Sequence, residues 1–283
     1  MRIHHPLEPG NETLVACNID IRTTLDAAHR GIHVSRMGNV LTEVTQESYE
    51  TLAAFAERLC RRVQQTQYGG ATTVSVRSRF WYREAVSGFG TKADKQSLES
   101  VGLMSQVTSD ASGHIEHLRG IEVDHITACP CVQQTLKHSL GQRKPEPVSH
   151  TPEAPPLTHS QRSRTSVEVG SASGPPIAEL LQAVDEVLFR SQSTLPRPQE
   201  LLLVLRAHQK PQFLEDVMRD LTRRVCQLSR ELPDEAKLRI RSRSLESIHE
   251  FDLCGELVTS LAAARKALGL GADYRHGHPY RDR

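Results

Sequence analysis

Three side chains that metal ions favour stand between positions 129 and 200 of the sequence. Cys129 lies in ITACPCVQ, His159 in THSQRSR and Glu200 in RPQE. One thiolate, one imidazole and one carboxylate make a three-ligand set that leaves a coordination position for water, as in catalytic zinc sites. A divalent ion bound this way lowers the pKa of its water. The residues predict a catalytic metal site, and their types leave zinc, iron and manganese open.

Each ligand candidate also has an ordinary structural explanation. Cys129 and Cys131 flank one proline, where a disulfide between residues two apart is strained and two free thiols can pack as small apolar side chains. A loop histidine such as His159 is usually solvated, and Glu200 is unremarkable alone. A structural zinc module with both cysteines as ligands is a further alternative.

Two more ionisable residues are candidates for handling a substrate. Glu215, in KPQFLED, complements the dipole of a predicted helix, but its two coplanar oxygens can also accept paired N–H groups from the edge of a guanine. His249 ends LESIH, and its imidazole titrates near neutral pH and can transfer protons. A solvated surface histidine is the simpler interpretation of His249.

Arginines form rows that could bind phosphate. Such rows are usually solvated faces, but on a curved sheet they also suit polyphosphate. The rows are Arg77 with Arg79, and Arg239 with Arg241 and Arg243, while Arg162 and Arg164 lie close to His159 in sequence.

Composition bounds the class of protein. The chain has 283 residues, a formal net charge of +1, 37% apolar and only 4% aromatic residues, which suits one large or two moderate domains with an aliphatic core. The near-neutral charge argues against a dedicated nucleic-acid binder. No apolar run approaches the roughly 18–20 residues of a membrane span, and MRIHHPLEPGNE lacks a signal core. We therefore expect a cytoplasmic protein without membrane or nucleic-acid partners, whose cysteines are thiols or metal ligands.

Hydrophobic periodicity predicts repeated strands and helices. GIHVSRMGNVLTEV is predicted to be a loop leading into extended chain, and LLLVLRAH is predicted to be extended. The predicted strands are 13–21, 72–84, 96–108, 114–128, 163–170 and 237–248, and the predicted helices are 48–65, 177–189 and 212–229.

The element order suggests two similar halves. Each half has an antiparallel sheet and one or two covering helices, which predicts an α+β fold with an internal duplication. Five prolines in 140–158 predict a loop or linker. We place the first module at 12–139, the proline-rich loop at 140–158, the second module at 159–270 and a disordered tail at 271–283.

These motifs together resemble one enzyme family. ITACPCVQ, THSQRSR, RPQE followed by RAHQKPQFLEDVMRD, and LESIH occur in the order found in type IB GTP cyclohydrolases and their archaeal relatives of methanopterin synthesis. GIHVSRM and REAVSG are similar to that family's N-terminal motifs. The resemblance covers about residues 12–257.

The resemblance implies a tunnelling fold, in which two modules of antiparallel sheet carry helices on one face and subunits join into barrels. It also implies a homotetramer with active sites at subunit interfaces and one divalent ion (Fe²⁺, Zn²⁺ or Mn²⁺) per subunit. By analogy Cys129, His159 and Glu200 hold the ion and Cys131 is a neighbour. Glu215 anchors the guanine of GTP, His249 assists proton transfer beside the catalytic Cys129, and the substrate is also contacted by His33, Arg36 and Arg162.

The implied reaction opens the guanine imidazole ring by hydrolysis at carbon 8, releases formate and forms a dihydroneopterin phosphate. The product is the triphosphate in the bacterial branch and a cyclic phosphate in the archaeal branch, which TACPCVQ resembles more closely. Phe251 stands where the family has a second histidine after LESIH. That departure keeps open the alternative of a non-catalytic purine- or pterin-binding protein on the same fold.

Overall fold

A computed structural model describes residues 1–86, 95–141 and 158–270. The helices are α1 (Val34–Val44), α2 (Leu52–Thr66), α3 (Pro130–Gly141), α4 (Ile177–Asp185), α5 (Arg197–Gln209), α6 (Leu214–Leu228) and α7 (Leu261–Ala267). The strands are β1 (Arg2–His4), β2 (Glu12–Leu14), β3 (Cys17–Thr23), β4 (Ser48–Tyr49), β5 (Thr72–Val86), β6 (Lys95–Ser109), β7 (Ile115–Ala128), β8 (Ser160–Val169), β9 (Phe189–Arg190), β10 (Lys237–Ser244) and β11 (Leu253–Ser260).

One continuous antiparallel sheet joins the two halves of the chain. Its strand order is β11-β10-β8-β7-β6-β5-β3, and β9 adds to β7. Strands β3, β5, β6 and β7 belong to the first half, and β8, β10 and β11 belong to the second. The halves therefore meet where β7 pairs with β8.

The helices cover one face of this sheet. α2 packs on β5 and β6, whereas α6 packs on β10 and β11. Both helices are strongly amphipathic, and their apolar stripes, with Phe55 and Leu59 in α2 and Leu221 and Val225 in α6, are fully buried. Burial of such stripes against a sheet is what stabilises amphipathic helices. The prediction of an α+β fold, with antiparallel sheet covered by helices on one face in each half, is confirmed.

The candidate residues lie at the two opposite ends of the sheet. At the Cys129 end, β7 finishes and β8 begins; at the His33 end, β7 begins and β8 finishes. The His33 end also carries the loop before α1, because Thr24 hydrogen-bonds to Ala71 beside the start of β5. A strand rises about 3.3 Å per residue, so the 14 residues of β7 hold the two ends about 45 Å apart along the strand.

Two predictions of local structure were wrong. GIHVSRMGNVLTEV contains helix α1, whose Val40 and Val44 are buried four residues apart. The run LLLVLRAH is part of helix α5 and not an extended segment. Its apolar residues resemble a strand by composition, but Pro198 in the first turn and basic residues in the last turn are helix signals.

The remaining segment predictions lie partly outside the description. Helix α3 ends at Gly141, and the next described residues are Thr158 and His159, which precede β8. The module boundaries at 139 and 159 stay predictions. Most of the proline-rich loop (142–157) and the whole tail 271–283 lie outside the described residues. Within the described ranges, none of the helices is long and apolar enough to cross a membrane.

Candidate active site

Cys129 and His159 face each other at the end of the β7–β8 ladder. Ala128 pairs with Ser160, and the Cys129 N–H donates to the His159 carbonyl at 3.1 Å. The ladder thus continues by one step, and residues directly opposite on an antiparallel pair project to the same side with Cβ atoms about 5 Å apart. The hydroxyl of Thr158 donates to the Cys129 carbonyl at 2.7 Å and fixes the turn into α3. The fold therefore brings together two of the three predicted ligands.

Cys131 lies beside Cys129 in the first turn of α3. The Cys131 thiol is exposed whereas Cys129 is half-buried. The pKa of Cys131 is raised, mainly because its thiol is partly desolvated. The charge of Cys129 and a hydrogen bond between the two thiols raise that pKa further. Cys131 is thus a direct neighbour of the predicted ligand.

Glu200 is set apart from these two donors in the single chain. It lies exposed in the first turn of α5, while the other end of α5 touches the Cys129 region: the His208 carbonyl accepts from Gln133 at 2.7 Å, and the His208 ring lies 3.4 Å from the Thr158 carbonyl. Eight residues of helix separate Glu200 from His208, a rise of about 12 Å. Accordingly, no three His, Cys, Asp or Glu side chains in the described part of the chain are grouped to hold a metal.

A cavity beside α5 joins two of the family-like motifs. It has a volume of about 540 Å³ and is lined by Glu84 of REAVSG and by Gln199 of RPQE, with Arg206 from the next turns of α5. Arg190 also borders it and is held by Glu84 at 3.0 Å and Asp185 at 2.8 Å. Among the described residues that line the cavity, none is one of the candidate residues Cys129, His159, Glu200, Glu215 and His249, although Gln199 is the neighbour of Glu200 in sequence.

Glu215 begins α6 close to the same end of the sheet. The N–H of Gln212, just before α6, donates to the Ala128 carbonyl at 3.2 Å. Asp216 caps the helix by accepting from the Phe213 N–H at 3.2 Å, and Asp220 binds Gln212. The exposed carboxylate of Glu215, in contrast, has no hydrogen bond or ion pair with any described residue. Its neighbours perform the structural roles, so Glu215 is available to a ligand.

The LESIH segment reaches back to the predicted ligands. The hydroxyl of Ser247 lies 3.1 Å from His159 Nδ1, and the Leu245 N–H donates to the Arg162 carbonyl at 3.0 Å. His249 is exposed and stacks on Phe251, with ring centroids 5.3 Å apart and planes inclined by 11°. The stack gives the imidazole an apolar face to rest on while its nitrogens remain open to solvent.

Arg162 lies on the solvent-facing side of β8 at the Cys129 end. It is exposed and stands opposite Ile126 of β7. Burial pushes the pKa of nearby Asp124 upward, but the hydrogen bonds and charge of Arg164, with smaller effects from Arg79 and Arg162, hold that pKa below its ordinary value. Arg164 is thus paired with Asp124 at 2.8 Å, whereas Arg162 makes no ion pair with a described residue.

His33 and Arg36 occupy the opposite end of the sheet. The His33 N–H donates to Gln67 Oε1 at 2.9 Å, Gln67 Nε2 donates to the His33 carbonyl at 3.1 Å, and the His33 ring hydrogen-bonds the Tyr68 hydroxyl. Tyr68 has a φ of 62°, and the ring of His29 stacks on it at 3.8 Å. A left-handed conformation costs a non-glycine residue about 1 kcal/mol or more. His33 is thus rigidly held, whereas Arg36 is exposed on α1.

The neighbours of the candidate residues differ in whether the sequence indicates them. Ser247 lies inside the LESIH motif, which was the available signal. Gln67 and Tyr68 carry no such signal, because they only end α2 and their role depends on the loop that folds against them.

The comparison with known proteins decides the family. The model of the family GCHY-1, described as type I GTP cyclohydrolase folE2, matches residues 2–255.

The chain belongs to the type I GTP cyclohydrolase family.

Curated relatives match over most of the chain. The chain is 26% identical over 270 residues to GTP cyclohydrolase MptA of Methanocaldococcus jannaschii, covering 90% of this chain and 86% of the relative. It is 29% identical over 274 residues to GTP cyclohydrolase MptA of Methanospirillum hungatei, covering 90% and 82%. Its backbone is similar to the crystal structure of uricase from Arthrobacter globiformis, with 12% identity, coverage of 88% and 86%, and a TM-score of 0.49. The family match spans both halves of the sheet, and the chain is thus a member of an enzyme family.

Proposed function

We propose that the chain is a metal-dependent GTP cyclohydrolase of pterin biosynthesis. It hydrolyses the guanine ring at carbon 8, releases formate and forms a dihydroneopterin phosphate. The observation that carries the proposal is the gathering of Cys129, His159, the LESIH segment and the start of α6 at one end of the sheet. In a chain of this family, this gathering supports a role for Cys129 and His159 as metal donors and for Glu215 and His249 beside them. We also infer that it acts in the cytoplasm, where GTP is available.

The donor set at the Cys129 end fits a divalent ion in part. Cys129 and His159 supply one thiolate and one imidazole on facing residues, a combination that suits zinc or iron. We assign Glu200 as the third ligand, although it is the member that the single chain does not group with the other two. A divalent ion bound there supplies a water of lowered pKa.

The family resemblance implies the remaining roles, and the contacts that each side chain makes or lacks are compatible with them. Glu215 accepts two parallel N–H bonds from the edge of guanine, because its carboxylate is otherwise unengaged. His249, exposed on its stack with Phe251, donates a proton to the nitrogen that departs from carbon 8. Arg162 binds the phosphates from the charged side of β8. Ser247 orients the ring of His159 through Nδ1.

The separation of the two ends implies a shared active site. His33 and Arg36 lie at the end of the sheet opposite to Cys129, about 45 Å away along β7. One GTP molecule cannot span that distance within one chain. If both ends contact the same substrate, the second must come from another subunit, and we propose interface active sites on this ground. The number of four subunits in the proposed homotetramer rests on the family resemblance.

Turnover of GTP tests the function directly. Purified protein is incubated with GTP and, separately, Fe²⁺, Mn²⁺ or Zn²⁺, and formate is measured together with the mass of the oxidised, fluorescent pterin. Formate with any ion supports the proposal, and the mass distinguishes a triphosphate from a 2′,3′-cyclic phosphate. Saturable GTP binding without formate under every condition would instead favour a non-catalytic purine- or pterin-binding protein, the role that Phe251 in place of a histidine makes reasonable.

A further inference from the structure

A second recess lies on the helical face, away from the Cys129 end. It has a volume of about 230 Å³ and opens between the N-terminal ends of α2 and α4, with the N-terminal segment as one wall. His5 fastens that wall, because its Nε2 bonds to the Trp81 carbonyl at 2.9 Å and its Nδ1 accepts from the Leu7 N–H at 3.2 Å. Apolar groups such as Ile3 and Leu103 make up much of the lining.

One guanidinium in this recess lacks an anionic partner. Arg119 of β7 donates from Nη2 to the carbonyls of Gly174 and Pro175, the latter at 3.1 Å. Its Nε is buried without a hydrogen-bond partner, and Arg119 makes no ion pair with a carboxylate in the described ranges. Burial lowers the pKa of Arg119, as expected for a cation that is not neutralised. The exposed Glu50 also borders the recess, without reaching the guanidinium.

Two further features point to a negative ligand. Ser105 of β6 is only 3% exposed, borders the recess, and its hydroxyl has no partner among the described residues. The first turns of α2 (at Leu52 and Ala53) and of α4 (at Ile177) also border it. First-turn N–H groups have no partners within their own helix, and the positive ends of helix dipoles attract anions. A cation without an anionic partner, a hydroxyl without a hydrogen-bond partner and two helix N-termini thus border one small space.

We propose that this recess binds a small organic anion, with one carboxylate or phosphate head against Arg119 and Ser105 and a short aliphatic body against the apolar wall. Its volume is below the usual range for drug-sized ligands, about 300–1,000 Å³, so the body has only a few carbons. The site is formed by groups that the proposed cyclohydrolase reaction does not use, and it stands independently of that reaction.

Binding of defined probes to the full chain tests this site. Hexanoate supplies head and body, inorganic phosphate supplies the head alone, and 1-hexanol supplies the body without charge. Titration calorimetry at constant ionic strength should show saturable binding of hexanoate, weaker binding of phosphate and none of hexanol. Arg119→Met should weaken hexanoate binding about tenfold or more, because a charge-assisted bond is lost. Arg58→Met removes one exposed charge from α2 and should leave binding unchanged.

Two further measurements test the site even if Arg119→Met does not fold. Ser105→Ala keeps Arg119 and should weaken hexanoate binding by a smaller factor. In the unaltered protein, the ¹⁵N resonance of Arg119 Nε should shift on addition of hexanoate. Absence of saturable binding by both anions, or a folded Arg119→Met variant that binds hexanoate like the unaltered protein, would overturn the proposal. GTP turnover has no part in these measurements, so the two proposals can fail separately.

Discussion

The two ends of the sheet hold their histidines in different ways. At the Cys129 end, His159 and His249 are lightly held: one ring has a single hydroxyl contact with Ser247 and the other rests on Phe251. At the His33 end, backbone and ring of His33 are bound by Gln67 and Tyr68 at three points. A proton donor needs a ring nitrogen that the substrate can reach, which the exposed ring of His249 offers. The bonds to Gln67 and Tyr68 instead fix the orientation of His33. The contacts agree with the proposed roles, in which His249 transfers protons and His33 positions the substrate.

Loss of the thiol at Cys129 should have the largest effect. Cys129→Ala removes a proposed ligand, and we expect turnover to fall at least about a thousandfold, with bound metal reduced in elemental analysis. Cys254→Ala changes an exposed thiol on β11 and should retain both. Chelation should likewise stop turnover. The circular dichroism spectrum should remain native, because apolar contacts between the helices and the sheet stabilise the fold. Unfolding on chelation would instead indicate a structural metal.

A variant of Glu215 on α6 can distinguish substrate recognition from metal binding. Glu215→Gln replaces one guanine acceptor by a donor, so kcat/KM should fall about a hundredfold, mainly through KM, with metal content unchanged. Asp216→Asn in the same turn weakens the cap at Phe213 and should lower the melting temperature without changing KM. Equal loss of metal in the Glu215 and Cys129 variants would contradict the separate roles.

A buried imidazole near the Cys129 end links stability to pH. Burial lowers the pKa of His125 to about 4, and its Nε2 bonds Thr165 at 2.8 Å. The unfolded chain takes up this proton near pH 6.5 and the folded chain only near pH 4, so stability falls as pH falls through that window. Between pH 7 and 5 the loss is about 2 kcal/mol. Urea unfolding should show it, and His125→Phe should flatten that part of the profile; an unchanged profile would exclude His125 as the cause.

Removal of the Tyr68 hydroxyl tests the role of the His33 end of the sheet. Tyr68→Phe removes the bond to the His33 ring, and we expect kcat to fall about tenfold with metal content unchanged, provided that His33 contacts substrate. Tyr49→Phe serves as the control, since Tyr49 bonds the Val44 carbonyl at 2.9 Å at the other end of α1. It should reduce stability by about 1 kcal/mol and leave kcat unaltered. An unchanged kcat in Tyr68→Phe would show that the fixed ring is only structural.

The sequence predicted the regular elements better than the contacts between them. The apolar stripe of 212–229 predicted α6 because Val217, Leu221 and Val225 recur at helical spacing, and all three are buried. LLLVLRAH failed because a continuous apolar run fits either a strand or a helix; Leu201 of that run is 67% exposed on α5. The order of the motifs indicated the residues of the Cys129 end. Spacing in the sequence does not show that α5 separates Glu200 from Cys129 and His159, nor that His33 lies at the opposite end of the sheet.

The central claim is that one active site takes Cys129 from one subunit and His33 from another. Cys129→Ala and His33→Ala chains, each inactive alone, are co-expressed with different tags, and mixed assemblies are isolated through both tags and assayed for formate. In random mixing at equal amounts, about a quarter of all sites receive both intact residues, and the share rises to about 2/7 in dual-tagged tetramers because unmixed tetramers are removed. We expect turnover of about 2/7 of that of the unaltered protein, and mixed assemblies no more active than the parent variants would contradict the shared site.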